Sequence, residues 1–345
     1  MRCECARMAG QILGRARLWR GSMVLWLAAL ATATGVASER DTYRVKSAFR
    51  DVVGRAMQST VRVLCDGRRA ALGAIVYPDG YILTKASEVK GDTLCLLSDG
   101  RQLPAKLVGV REDFDLAMLK IEAQGLPTVP RRESEPPPVG SWLATAGMGT
   151  IPVAIGVVSA KPRKIERQLP ALGVVLDEVE QGPKVHQVVP HSGAARAGVL
   201  AGDIITHLEG KRVTKQDALI QGVRERRPGE KVTIKVRRGD QELTFEVLLG
   251  EMSLLMLGSE RDQVQNTMGG RLSERRAGFP VALQHDTVLE PNQCGGPVVD
   301  LDGRVIGINI ARASRVSSYA IPASAIQPIL KELKSGKLVS ASPAN

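Results

Sequence analysis

A chain of 345 residues is too long for one small domain and can build two or three cores of ordinary size. Its 43% hydrophobic and 24% charged residues exclude disorder as the default, and an aromatic content of 3% leaves the cores to Val, Leu, Ile and Ala and argues against surfaces that stack bases or sugars. The formal charge of +11 comes without a nucleic-acid-binding motif, so nucleic acid is not an expected partner.

Residues 1–38 begin with Arg2, Arg7, Arg15, Arg17 and Arg20, pass into the apolar run MVLWLAALATA and end on the small residues VAS. That order predicts an export signal, and the run is short for a membrane span, which favours cleavage near Ala37 or Ser38. The alternative is an uncleaved membrane anchor at the N-terminus. No later run reaches spanning length, so the rest of the chain is expected outside the cytoplasm, in the periplasm or cell envelope.

Residues 39–57, with Tyr43, Val45, Phe49, Val52 and Val53 spaced among polar residues, predict a leading helix or linker. From 58 to 130 the chain reads as strands, at 60–65, 70–77, 81–84, 93–97 and 116–121, with Asp-Gly turns at 66–67, 79–80 and 99–100. Short strands at this pitch, without long helices between them, predict a barrel or sandwich. Residues 131–164 hold a linker, RRESEPPPVG, and the start of a second β unit at 142–146 and 155–159. The chain changes character over 165–250, where small residues around a turn precede Gly202-Asp203, a helical stretch at 215–226 and two alternating strands. A connector at 251–278 leads to further strands and a helix over 279–335, with Ile326, Ile329, Leu330 and Leu333 on one helix face, and a tail at 336–345. Of the five cysteines, Cys3 and Cys5 lie in the signal. In an oxidising compartment Cys65 and Cys95 are candidates for a disulfide, the alternative being two buried thiols, and Cys294 is left over.

The stretch PNQCGGPVVDLDGRVIGI, residues 291–308, sets Cys294 before two glycines and a proline at a turn between strands, where a side chain projects into open space and backbone amides can hold an anion. It resembles the GNSGGP nucleophile loop of trypsin-fold proteases of the HtrA/Deg family. The run GYILTKASEV is similar to the strand that ends in the family's histidine and sets Ser87 at the base position. DFDLAMLKI is similar to the run that carries its aspartate, which is Asp115 here. AGVLAGDIITHLEGKRV resembles a PDZ domain, and SYAIP at 318–322 the element before the family's last helix. The resemblance implies an all-β dominated fold, a trypsin-like double β-barrel, with the PDZ domain inserted in the second barrel rather than following it.

The resemblance also implies what is missing. Hydrolysis by this fold needs a nucleophile, a base, an acid that orients the base and an oxyanion hole. The nucleophile position is Cys294, the base position Ser87, and the oxyanion-hole-equivalent positions are Asn292 and Cys294, with Asn292 standing where the family has glycine. Asn tolerates positive φ, so the loop shape is expected to survive. The four histidines are His186, His191, His207 and His285, none in the first barrel; His285 beside Asp286, Lys85 and Glu88 are the substitutes for a base that the sequence offers. The PDZ resemblance implies a carboxylate-binding loop at Ala171, Leu172, Gly173 and Val174, with Leu219 and Val223 lining a pocket for a terminal apolar side chain. No Cys/His spacing suits a metal, and no cofactor loop is complete. The expected function is a degenerate protease that binds polypeptide C-termini or unfolded proteins, in the homotrimer common in the family. The alternative is an active endopeptidase of envelope quality control that uses Cys294 or an unconventional base.

Overall fold

The structure is a computed structural model, and it describes residues 42–130, 136–179, 182–252, 255 and 270–336. The predicted signal lies outside the described residues, as do the prolines' polar neighbours at 131–135 and most of the connector. Among the described residues no helix is long and apolar enough to cross a membrane.

Two helices, Tyr43–Ala48 and Arg50–Gln58, lead into the first barrel. Its strands are β1 (Thr60–Cys65), β2 (Arg68–Tyr77), β3 (Tyr81–Lys85), β4 (Thr93–Leu96), β5 (Gln102–Arg111) and β6 (Leu116–Ile121), closed in the order β1-β2-β3-β6-β5-β4. Closure removes the free edges that strands this short would otherwise expose. Strand β5 escapes sequence reasoning because Pro104 interrupts a polar, half-exposed alternation, yet it pairs with both β4 and β6. Short helical turns at Ala86–Glu88 and Glu112–Phe114 end β3 and precede β6, which brings Ser87 and Asp115 to one rim of the barrel.

The register also corrects an expectation. Cys95 stands opposite Val63 and Cys65 opposite Thr93, so the two cysteines are diagonal neighbours on one face. Diagonal Cα atoms lie about 7–8 Å apart, beyond the roughly 6.8 Å that a disulfide spans. The Cys65–Cys95 bond is absent, and both thiols are free and buried in the first core.

The second barrel begins with β7 (Trp142–Thr145) and β8 (Ala154–Ile165) and is then interrupted. A two-residue strand, β9 (Pro170–Ala171), opens the insertion, followed by β10 (Val174–Val179), β11 (Gly182–Val188), β12 (Ile204–Leu208), β13 (Lys211–Arg212), β14 (Lys231–Arg238) and β15 (Gln241–Leu248), with helices Gly193–Ala197 and Gln216–Arg224. The sheet runs β10-β11-β12-β14-β15, leaving β10 at an edge. Alternation fixes which face is inside: Val232, Ile234 and Val236 of β14 are buried while Lys231, Thr233 and Lys235 face out. The insertion closes with β16 (Gly250–Glu251), which pairs back onto β9. The barrel resumes with β17 (Phe279–His285), β18 (Pro297–Val299), β19 (Val305–Ser314) and β20 (Ser317–Pro322), closed in the order β17-β20-β19-β18-β7-β8.

Strands β8 and β17 pair antiparallel, with Phe279 opposite Ile165. The inserted sheet therefore sits at the tip of one hairpin, leaving and returning through the β9–β16 ladder, and the barrel keeps its pairing. The helix Ala323–Lys334 buries Ile326, Ile329, Leu330 and Leu333 in a core shared by both barrels.

Candidate functional site

The loop before β18 faces the rim of the first barrel. Pro291–Gln293 forms a helical turn whose entry is tied by Gln293 Oε1 accepting from the Glu290 amide at 2.9 Å. The chain then extends at Cys294 and turns at Gly295, whose φ is +91°. A side chain at Gly295 would place its Cβ 2.1 Å from the Leu72 carbonyl oxygen, so glycine is required by both conformation and space. The Leu72 amide donates to the Cys294 carbonyl at 2.8 Å, and the Gly295 amide to Asn309 at 2.6 Å. These bonds lock the loop to β2 of one barrel and β19 of the other.

Locking does not produce an oxyanion hole. The Cys294 amide donates to the Pro291 carbonyl at 3.1 Å, inside the helical turn, instead of standing free toward the cleft. Asn292 is not in the positive-φ region, so the expectation that it would preserve the family's loop through that conformation is corrected. The local reason is Pro291 at the first helical position, which with the Glu290–Gln293 capping box favours a tightened turn.

Cys294 is fully buried. Its thiol donates to the Glu290 carbonyl at 3.8 Å and meets Ser273 Oγ at 3.9 Å, packing among Ala154 and Leu289. Burial pushes this thiol's pKa up, opposed by the nearby Lys85 charge and the contact with Ser273. A protonated, enclosed thiol is a poor nucleophile.

Asp115 and Ser87 come together. Asp115, at φ 56°, accepts the Ser87 amide on Oδ1 at 2.8 Å and the Ser87 hydroxyl on Oδ2 at 2.9 Å. The carboxylate that would orient an imidazole thus holds a serine through two bonds. Its burial raises its pKa, opposed by Lys85, Arg275 and the two bonds from Ser87.

The substitute bases do not reach the sulfur. Lys85 is fully buried, with Nζ 3.4 Å from Glu88 Oε1 and 4.0 Å from Asp115 Oδ2, and it donates to the Arg275 carbonyl at 3.5 Å. His285 is enclosed in the second barrel, with Nδ1 2.6 Å from Thr287 Oγ1, and Nε2 without a hydrogen-bond partner among the described residues. Burial lowers its pKa to about 4, against a smaller opposing effect of Asp286. His186, His191 and His207 all lie in the inserted sheet and its loops; His186 faces Asp177 at 3.0 Å.

In the insertion, Gly173 at φ +86° packs where a Cβ would fall 2.1 Å from Ser192 Cβ. Its carbonyl accepts the Val189 amide at 2.8 Å, and the Leu172 carbonyl accepts the Ala194 amide at 3.0 Å, which shapes the loop between β9 and β10. That loop, the open edge of β10, and Leu219 and Val223 of the helix Gln216–Arg224 line an apolar cavity. Met252 and Leu255, in the stretch read only as connector, complete it.

Two closed six-stranded barrels with the glycine-rich loop of Cys294 at their junction define a trypsin-fold protein, here carrying a PDZ sheet within its second barrel. A model of the trypsin-like peptidase domain matches residues 71–201 and a model of the PDZ domain residues 170–249. They overlap over 170–201, where the structure has β9, β10 and β11 of the insertion, and the second barrel resumes only at Phe279. A protein of Pseudomonas fulva named "Probable periplasmic serine endoprotease DegP-like" is 26% identical over 360 residues, covering 77% of this chain and 74% of that one. One of the same name from Halomonas elongata is 25% identical over 269 residues, covering 53% of this chain and 57% of its own length, so the chain matches little more than half of that relative. A solved serine endoprotease from Yersinia pestis is similar at 22% identity over 59% of this chain and 98% of that one, with a TM-score of 0.30. Together the two domain matches and the DegP-like relatives support an HtrA/Deg-type protein, a trypsin-like peptidase domain combined with a PDZ domain.

Proposed function

We propose that this chain is a periplasmic HtrA/Deg-type protein without peptidase chemistry, which binds exposed polypeptide C-termini or misfolded segments in the groove between β10 and the helix Gln216–Arg224. The observation that carries the first half is the pairing of Asp115 with Ser87, which leaves no imidazole between the carboxylate and the buried Cys294. The Cys294 amide engaged by Pro291 supports the same reading, since hole and base fail together. The second half is supported by the open edge of β10, to which an extended peptide can add, and by the apolar cavity at its end.

Incubation with unfolded casein beside a Cys294→Ala control tests the first half. Equal, background-level cleavage by both is expected, and robust cleavage that depends on Cys294 overturns the reading. Fluorescence polarisation with a library of peptides ending in apolar residues tests the second, with micromolar binding expected and absence of binding counting against it.

One observation favours an endopeptidase with an unconventional base: Lys85 is fully buried beside Asp115. Its ammonium is held by Glu88, Asp115 and the Arg275 carbonyl, and it makes no hydrogen bond to the sulfur among the described residues. Export through residues 1–38, a homotrimeric state and a part in envelope quality control belong to the same proposal. The mass of the mature chain and sedimentation check the first two.

A further inference from the structure

The end of the connector does not run clear of the cleft. The Ser273 amide donates to the Arg312 carbonyl at 3.0 Å, and the Arg312 amide donates to Ser273 Oγ at 2.9 Å. Strand β18 pairs with β19 only from Val305 to Ile308, so this contact caps the stretch of β19 that β18 leaves uncovered. Such an edge is where an extended polypeptide adds as a further strand. Ser273 is itself fully buried, with Oγ 3.9 Å from Cys294 Sγ.

The neighbouring residues fasten the segment at several points. Lys85 donates to the Arg275 carbonyl at 3.5 Å, and Arg275 donates to the Asp113 carbonyl at 3.1 Å, with its guanidinium 5.5 Å from the Phe279 ring centre. Arg276 donates to the Ser273 carbonyl at 3.2 Å and forms an ion pair with Glu251 of β16, which also accepts from Gln168 at 2.6 Å. Contacts with both barrels and with the neck of the insertion are more than a connector needs to join β16 to β17.

We propose that residues 270–276 are a built-in occupant of the cleft: a strap pinned through Ser273 to the edge of β19 where an extended peptide would add, which seals Cys294. Entry of a polypeptide to this edge, or of a reagent to the thiol, requires the strap to lift. The proposal rests on the cleft reading above only for which loop is the nucleophile loop, and neither readout below depends on hydrolysis or peptide affinity. An active enzyme with a strap and a silent one without it are therefore told apart.

The test is iodoacetamide labelling of the folded full chain, with modified cysteines located by mass spectrometry. Cys294 of the wild type is expected to label slowly. Ser273→Pro removes the amide and the hydroxyl that meet Arg312, and Arg276→Ala releases the strap from Glu251. Each is expected to speed Cys294 labelling about tenfold or more while Cys65 and Cys95 stay protected. Unchanged Cys294 labelling in both variants overturns the proposal, as does wild-type labelling at the rate of an unfolded thiol. Should the variants unfold, with Cys65, Cys95 and Cys294 reacting together, hydrogen exchange in the wild type decides. Protection of the Ser273 and Arg312 amides by roughly a hundredfold or more sustains the strap, and exchange at unprotected rates refutes it.

Discussion

Asp115 shows how single residues set the local geometry of the cleft. It keeps a left-handed backbone, a conformation Asp tolerates better than most residues, and presents both carboxylate oxygens to Ser87. Removing the hydroxyl leaves a buried carboxylate short of one donor, so Ser87→Ala is expected to destabilise the fold by about 1–2 kcal/mol in urea unfolding. His285 carries the clearest pH signature. Its pKa is near 4 in the fold and rises toward 6.5 once unfolded, so the unfolded chain binds the extra proton between those values. Its contribution is present above about pH 6.5 and is lost as pH falls toward 4, by up to about 3 kcal/mol. His285→Gln is expected to flatten that part of the stability–pH curve, measured by denaturant unfolding between pH 4 and 7.

At the scale of elements, turns and register matter more than any one side chain. The joint between β2 and the Cys294 loop depends on Gly295, and Gly295→Ala is expected to cost roughly 2–4 kcal/mol, read from the thermal midpoint, because the added methyl must displace the Leu72 carbonyl. The β1–β4 register that separates Cys65 from Cys95 predicts that both titrate as thiols when the chain is denatured without reductant; their loss from the count would signal a strand slip. In the native state they are expected to react slowly, since burial, with Cys65 adding to it, pushes the Cys95 thiol up to about 12. Most strands were legible from runs of Val, Ile and Leu between Asp-Gly turns, because period and turn chemistry act over a few residues. Strand β5 was not, since its stability comes from partners on both sides rather than from its own pattern.

For the whole molecule, the β9–β16 neck makes the PDZ domain a separable appendage of one barrel hairpin. Replacing residues 170–251 by a short Gly/Ser turn is expected to leave barrels that melt cooperatively, because β8 and β17 still pair. The same excision removes Glu251 from Arg276, so Cys294 labelling should rise even as the fold persists. A multiphasic melt would show instead that the barrels lean on the inserted domain.

The sequence by itself determined the strand pitch, the glycine-rich loop around Cys294 and the want of a histidine in the first barrel, all of which are local facts of composition and spacing. Tertiary structure alone decided that the Cys294 amide turns inward, that Lys85 is buried, and that Ser273 covers the thiol. Lys85 meets Arg275 across 190 positions and Ser273 meets Cys294 across 21, through a connector whose own pattern carries no signal. Contacts of that kind are set by where two closed barrels bring their rims together, which no periodicity in the chain encodes.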